Sequence, residues 1–272
     1  MSIRLIVADL DNTLLNSDHE VSPFTDQMIR AALARGVYFT VATGKTFPST
    51  PQITAQFGIT IPVICGNGTQ VFMPDGTPIY EDPIPLDLAL EAVQMGAARG
   101  FTPVVYTATG LLAPGHDANV QELIAHHEPT PDYDPNIAAA LRNGHKPYKL
   151  ILMSQNYDAV DRFTVDLNQR FAGRAQVIRS GLQSVVEVLP LSASKGNALK
   201  IILDRLNITP GETMCLGDNC NDVDMLQLAG IGVAMGQAPL DVRAVADYVT
   251  GTNDEDGVGH AIKKFVLESV GA

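Results

Sequence analysis

Residues 3–15 read I-R-L-I-V-A-D-L-D-N-T-L-L, an apolar run that stops at two carboxylates. Such a run is typical of a strand that is covered on both faces of a parallel sheet. Asp9 and Asp11 follow this run. Side chains two residues apart on extended backbone point the same way, so both carboxylates would face one crevice if the extended backbone continues to Asp11. In open α/β sheets, active sites lie in the crevice beyond the carboxyl ends of the strands. Two facing carboxylates repel each other by about 4 kcal/mol at 4 Å in an effective dielectric of 20. A hard cation such as Mg2+ would relieve this repulsion, and an acidic turn without a metal is the alternative interpretation of these residues alone.

The composition indicates an ordinary globular protein. With 272 residues the chain is long enough for one large or two modest domains, and 46% of its residues are hydrophobic. A formal net charge of −12 argues against nucleic acid as a partner, because phosphate-backbone binding needs clustered Lys and Arg. Three cysteines without a C-x-x-C pair predict reduced thiols and a cytoplasmic protein. No run approaches the roughly 18 apolar residues of a membrane span, so a membrane partner is not expected.

The pattern of elements predicts a Rossmann-like α/β core that is interrupted by an insert. Residues 1–82 and 189–272 alternate between apolar strands and amphipathic helices, which implies a parallel sheet with right-handed crossovers. Residues 83–188 contain adjacent strand pairs, which is typical of an antiparallel sheet with helices on one face. We therefore predict an inserted α+β domain over residues 83–188.

Three of the predicted parallel strands end in polar residues. Because the carboxyl ends of parallel strands meet at one sheet edge, these residues could converge although they are far apart in sequence. The groups are Asp9 with Asp11, Thr43 with Gly44, and Asp218 with Asn221 and Asp222, together with Lys195 at the start of a helix. Acidic groups that hold a divalent ion, beside N–H and ammonium groups that neutralise phosphoryl oxygens, favour phosphoryl transfer.

Four motifs carry a resemblance to a known family. D-L-D-N-T-L at 9–14, T-G at 43–44, S-K-G at 194–196 and G-D-N-C-N-D at 217–222 resemble the motifs of the haloacid dehalogenase superfamily. A-M-G-Q-A at 234–238 and D-E-D-G-V-G-H-A-I at 254–262 are similar to its Cof-type phosphatases, and the position of the insert matches the large α/β cap of that branch.

The resemblance implies roles for the two leading aspartates. Asp9 would be the nucleophile that forms an aspartyl-phosphate, and Asp11 would protonate the leaving oxygen and later activate the hydrolytic water. The presence of Asp11 favours hydrolysis or phosphoryl transfer over dehalogenation. The resemblance also implies Mg2+ as the cofactor, bound by Asp9, the main-chain carbonyl of Asp11 and Asp218, with Asp222 supporting the metal directly or through water.

The resemblance further implies that four groups hold the transferring phosphoryl group: Thr43, the Gly44 N–H, Lys195 and Asn221. The chain departs from the family pattern at two places. Asn12 stands where the family commonly has Gly, and Asn tolerates left-handed backbone better than most residues, so we expect the loop to form. Lys45 stands where Arg is common and lacks the bidentate fork of a guanidinium, so no role is assigned to it.

Together these observations predict a Mg2+-dependent phosphatase for a small phosphorylated metabolite such as a sugar phosphate. The cap would close over the site and select the leaving group. The alternatives are a phosphomutase or phosphotransferase with the same aspartyl-phosphate chemistry, and a non-catalytic ligand-binding protein of the same fold. In the cap, His116, His145, Lys146 and Lys149 are candidates for contacting the leaving group.

Overall fold

The computed structural model describes residues 2–179 and 182–268. The chain forms two compact units. The first contains the residues up to Gly44, Pro51–Thr77 and the residues from Ser194 onward, and the second contains Lys45–Thr50 and Pro78–Ala193. The domain boundaries predicted from the sequence, at 82/83 and 188/189, stay a prediction.

A five-stranded parallel sheet forms the centre of the first unit. Its strands lie in the order Tyr248–Val249, Ile231–Ala234, Thr213–Gly217, Leu5–Ala8 and Tyr38–Val41. Leu5–Ala8 pairs on one side with Thr213–Gly217, with Leu5 opposite Thr213, and on the other side with Tyr38–Val41. All four residues of Leu5–Ala8 are buried, as expected for an apolar strand with neighbours on both sides. This arrangement confirms the predicted parallel-sheet α/β core.

Helices and short turns connect the strands of the first unit. The α-helices are Pro23–Ala34, Pro51–Phe57, Lys195–Leu206, Val223–Leu228, Leu240–Val245 and Gly257–Ile262. Single helical turns occur at Leu10–Leu14, Gly66–Gly68, Pro210–Glu212, Cys220–Asp222, Asn253–Glu255 and Lys263–Leu267. Two short antiparallel strands, Val63–Cys65 and Gln70–Phe72, flank the turn at Gly66–Gly68. Ser22 caps the first helix by accepting a hydrogen bond from the Thr25 N–H.

The second unit contains a six-stranded sheet. Its strands lie in the order Ala175–Ile178, Val185–Pro190, Lys149–Met153, Thr102–Tyr106, Leu111–Ala113 and Asp132–Tyr133. The pairs are antiparallel except the last, which is parallel. The other elements of the unit are strand Pro78–Glu81, the helical turn Phe47–Ser49 and the helices Leu86–Ala97, Ala118–Ala125, Ile137–Arg142 and Tyr157–Arg170.

Helices cover both faces of this second sheet, whereas we predicted helices on one face. The larger core packs three helices against side chains such as Leu150 and Leu152. The smaller core lies on the opposite face, where helix Ala118–Ala125 packs Val120 and Leu123 near Ile151. The sequence pattern missed this helix because it is only two turns long and lies in a stretch rich in Pro and His. None of the helices in the described part of the chain is long and apolar enough to cross a membrane.

Candidate active site

Asp9 and Asp11 lie on a tight turn directly after the central strand Leu5–Ala8. The Asp9 N–H donates to the Leu216 carbonyl at 3.0 Å, so the neighbouring strand holds the start of the turn. The chain then turns through Asn12, which adopts a left-handed conformation with φ of 57°. Asn reaches this conformation at lower cost than most residues, which is why the turn forms without the glycine common in the family.

Lys195 is completely buried and joins two of the predicted site residues. Its Nζ donates to Asp9 Oδ1 at 2.7 Å and to Asp222 Oδ1 at 2.6 Å. Ser194 caps the helix that Lys195 begins, because its Oγ accepts from the Asn197 N–H at 3.0 Å. A lysine at the first position of a capped helix is therefore fixed in place, and its ammonium group lies between the carboxylates.

Asp222 organises the turn that follows strand Thr213–Gly217. Its Oδ2 accepts from the N–H groups of Asp218 and Asn219, each at 3.0 Å, while its Oδ1 accepts from Lys195. Gly217 leaves the space for this carboxylate, since a Cβ at that position would lie 2.5 Å from the Asp222 side chain. Both oxygens of Asp222 thus have donors in the protein, which fixes the orientation of this carboxylate.

Three carboxylates of the site could hold a metal ion. Asp9, Asp218 and Asp222 each offer an oxygen, these atoms lie within 4.8 Å of one another, and all three residues are buried. Thr13, whose role the sequence reasoning missed, donates to Asp218 Oδ1 at 3.1 Å and orients that carboxylate. A donor set made only of oxygens suits a hard cation such as Mg2+.

The electrostatics of the site favour an added positive charge. Burial raises the pKa of Asp9 well above its ordinary value, and the Lys195 ammonium offsets part of this effect. Burial, followed by the charge of Asp222, raises the pKa of Asp218 to about 6. Burial opposes the charged form of Lys195, but Asp222 and Asp9 more than offset it, so the pKa of Lys195 is raised. One ammonium group faces three carboxylates, and a divalent cation would balance the remaining charge.

Thr43 and Gly44 lie at the end of the strand next to the nucleophile. The Ala42 N–H donates to the Ala8 carbonyl at 3.0 Å, so the chain leaves the sheet beside Asp9. Thr43 is fully buried. The structure therefore places the T-G turn and the D-L-D turn on neighbouring strand ends, as the parallel sheet predicts.

Asn67 links the T-G turn to the fourth motif. Its N–H donates to the Thr43 carbonyl at 3.1 Å, and its Oδ1 accepts from Asn221 Nδ2 at 2.9 Å. A Cβ on Gly44 would lie 2.8 Å from Asn67 Oδ1, so only glycine fits there without displacing the amide. The first unit thus brings together all eight predicted site residues around these strand ends, namely Asp9, Asp11, Thr43, Gly44, Lys195, Asp218, Asn221 and Asp222. Asn67 belongs to the same group, although its place in a Gly-Asn-Gly turn gives no sign of this in the sequence.

Lys45 lies in the second unit, where it is buried and its Nζ donates to the His127 carbonyl at 3.4 Å. Of the four basic candidates in the predicted cap, only Lys149 is buried. Its Nζ lies 3.9 Å from the centre of the Tyr106 ring and 3.9 Å from Glu187 Oε2. His116, His145 and Lys146 are exposed. Among these candidates Lys149 alone therefore belongs to a buried polar cluster.

Known proteins are similar to this chain in sequence and in fold over nearly its whole length. The family described as haloacid dehalogenase-like hydrolase matches residues 6–262. Phosphatase YwpJ of Bacillus subtilis is 31% identical over 285 residues, covering 97% of this chain and 100% of that protein. HMP-PP phosphatase of Serratia proteamaculans is 28% identical, covering 97% and 95% of the two chains.

Solved structures agree with these matches. The crystal structure of TM0651 from Thermotoga maritima superposes with a TM-score of 0.86 at 28% identity, covering 96% of this chain and 97% of that one. A haloacid dehalogenase-like hydrolase from B. subtilis gives a TM-score of 0.85 at 28% identity, covering 97% and 100%. These matches confirm the resemblance drawn from the four motifs: the chain belongs to the family of haloacid dehalogenase-like hydrolases.

Proposed function

We propose that this chain is a Mg2+-dependent phosphatase that hydrolyses a small phosphorylated metabolite, such as a sugar phosphate, through an aspartyl-phosphate. The observation that carries the proposal is the buried Lys195, which contacts Asp9 and Asp222 beside a three-carboxylate cluster. A phosphoryl group needs such a combination of nucleophile, cation and metal ligands. The names of relatives support the substrate class, since they include HMP-PP phosphatase and 5-amino-6-(5-phospho-D-ribitylamino)uracil phosphatase.

In the first step, an Asp9 carboxylate oxygen attacks phosphorus while the bond to the leaving oxygen breaks, and Asp11 gives its proton to that oxygen. In the second step, Asp11 takes a proton from water, whose oxygen attacks phosphorus and releases inorganic phosphate and Asp9. The contact of Lys195 with Asp9 favours the ionised form of the nucleophile, in opposition to burial.

The remaining residues bind rather than react. Thr43, the Gly44 N–H, Lys195 and Asn221 hold the phosphoryl oxygens in this proposal. Asp9, the Asp11 carbonyl and Asp218 hold the metal, and Asp222 supports it by orienting Lys195 and the 218–219 backbone. When bound, Mg2+ would lower the repulsion between Asp9 and an anionic phosphate.

We also propose that residues 83–188 form a cap domain that selects the leaving group. The buried cluster of Lys149, Glu187 and Tyr106 supports this role, because buried polar groups that recognise hydroxyl or anionic substituents give strong discrimination. The Tyr106 hydroxyl donates to Glu128 Oε1 at 3.0 Å, which extends the cluster by one more acceptor.

The test is phosphate release from a panel of phosphorylated metabolites, with Mg2+ and with EDTA. Wild type should release phosphate only with Mg2+, and Asp9→Asn should be inactive because an amide is a poor nucleophile and has lost its charge. Asp241→Asn, the same change at an exposed aspartate, is the matched control and should behave as wild type. Wild-type release by Asp9→Asn would refute the assignment. Transfer to an added sugar or alcohol in preference to water would identify a phosphotransferase instead.

A further inference from the structure

The side chain of His19 faces the carboxylate of Asp11. Its Nδ1 lies 3.7 Å from Asp11 Oδ1, and both side chains are about one-third exposed, at 31% and 32%. This distance is too long for a hydrogen bond, but it is an electrostatic contact that a small rotation of either side chain would close. His19 also has a φ of 59°, in the left-handed region that few residues other than Gly adopt and in which Asn, Asp and His are enriched.

The turn that carries His19 is rigidly built. Asn16 closes it, since its Oδ1 accepts from the N–H groups of Asp18 at 3.0 Å and Glu20 at 2.9 Å. The His19 N–H donates to the Asn16 carbonyl at 2.9 Å, and the Asn16 N–H donates to the Glu20 carbonyl at 3.0 Å. Four hydrogen bonds within residues 16–20 therefore fix the backbone position from which the His19 side chain extends.

The same turn is bound to a distant loop of the first unit. Ser17 donates from its N–H and its Oγ to the two carboxylate oxygens of Asp254, at 2.8 and 2.7 Å. Next to it, Asn253 Nδ2 donates to the Leu15 carbonyl at 3.1 Å. A non-glycine residue keeps a left-handed backbone conformation where the surrounding structure holds it in place, and such residues often occur at functional sites. The left-handed His19 is therefore held by hydrogen bonds within its own turn and by the contacts of Leu15 and Ser17 with the 253–254 loop.

We propose that His19 is a positioning residue that holds the Asp11 carboxyl group in the orientation needed to protonate the leaving group. An Nδ1–H next to Oδ1 would leave Oδ2 to carry the transferred proton. Because a neutral imidazole with its proton on Nδ1 is a donor as well as the cation, the role does not depend on the charge of His19. This inference rests on the proposed function, in which Asp11 is the general acid.

Two variants separate the side chain from its backbone conformation. His19→Gly removes the imidazole and keeps the left-handed backbone at no steric cost. His19→Asn tolerates the same backbone and places an amide nitrogen near the position of Nδ1, so it serves as the conservative rescue. Asn207→Gly, which changes another left-handed residue at the end of helix Lys195–Leu206, is the matched control for the glycine substitution.

The readout is kcat/KM for two substrates whose leaving groups differ in their need for a proton, with each variant compared with wild type on the same substrate. 4-Nitrophenolate departs as a stable anion, whereas an alkoxide from an alkyl phosphate must be protonated as it leaves. Because kcat/KM ends at the first irreversible step, it reports phosphorylation of Asp9 and not the later hydrolysis. We expect His19→Gly to lower kcat/KM for the alkyl phosphate about tenfold, which is less than the roughly 10²–10⁴-fold contribution of a general acid because Asp11 itself is still present, and to leave the aryl phosphate within about twofold.

His19→Asn should recover most of the alkyl phosphate activity, and Asn207→Gly should match wild type on both substrates. An equal loss on both esters for His19→Gly would overturn the inference, because it would indicate a general effect on the turn. No loss on either ester, or no recovery in His19→Asn, would overturn it as well. Failure of the proposed function has a different signature, since wild type itself would then release no Asp9-dependent phosphate from either ester, and the inference would be refuted with it.

Discussion

Replacing Lys195 with Met should destabilise the metal-free protein strongly. The side chain is 0% exposed and makes ion pairs of 2.7 and 2.6 Å with Asp9 and Asp222, so its removal leaves buried carboxylates without a counter-charge. Loss of one partner from a buried ion pair costs about 3–5 kcal/mol, while Met roughly preserves the volume and adds no large cavity. We expect the free energy of unfolding in urea, measured at pH 7 with EDTA, to fall by that amount.

The control is Lys200→Met on the same helix. Lys200 is exposed and its Nζ contacts Asn197 Oδ1 within the same helix, so its replacement should change stability by less than about 0.5 kcal/mol. Lys195→Met should also lower kcat by about 10²–10³-fold, because a buried cation no longer faces the phosphoryl oxygens. If Lys195→Met were as stable as Lys200→Met in EDTA and still active, the electrostatic account of the site would be refuted.

Three further predictions concern the same unit. Asp11→Asn should still bind Mg2+, measured as thermal stabilisation by the ion, but should lose turnover of substrates with poor leaving groups. Unchanged turnover of an alkyl phosphate would contradict the role of Asp11 as the general acid. Gly68→Ala should lower the free energy of unfolding in urea by at least about 2 kcal/mol, because Gly68 has a φ of +90° and a Cβ there would lie 2.1 Å from the Ser194 carbonyl oxygen. Gly36→Ala is the control: Gly36 has a φ of +79° but a Cβ there would meet no atom within 4 Å, so this variant should show the cost of the backbone conformation alone. Burial raises the pKa of Asp218 from its ordinary 3.8 to about 6, so the folded chain keeps this proton to higher pH than the unfolded chain. Stability should therefore fall as pH rises from about 3 to about 7, by about 3 kcal/mol in EDTA relative to Asp218→Asn. A variant with the same pH dependence as wild type would contradict that pKa.

The sequence was sufficient to predict which residues meet, because sheet topology determines this. Residues 5–8 predict a buried strand, and parallel strands share one edge for their carboxyl ends. Asp9, Thr43 and Asp218 must then lie near each other if their strands are neighbours, and Leu5–Ala8 is indeed paired with the strands that precede Thr43 and Asp218.

Contacts that depend on side-chain direction or on unusual backbone could not be predicted. Periodicity places Lys195 at a helix start, but only the packed structure shows its Nζ between Asp9 and Asp222. The contact of His19 with Asp11 depends on a left-handed residue in a turn closed by Asn16, and no hydrophobic pattern encodes that conformation. Short helices such as Ile137–Arg142 were missed because one or two turns give too few positions for a period to be recognised.

The position of strand Leu5–Ala8 within the first sheet has a consequence for how the protein is made on the ribosome. This strand receives its first neighbour, Tyr38–Val41, early in synthesis, but its other neighbour begins at Thr213. Asp9 and Lys195 likewise lie 186 positions apart in the chain. Most of the polypeptide must therefore emerge before the nucleophile has its cation and the strand has its second partner. During that interval an apolar strand presents an unpaired edge, which makes the nascent chain a candidate for chaperone binding.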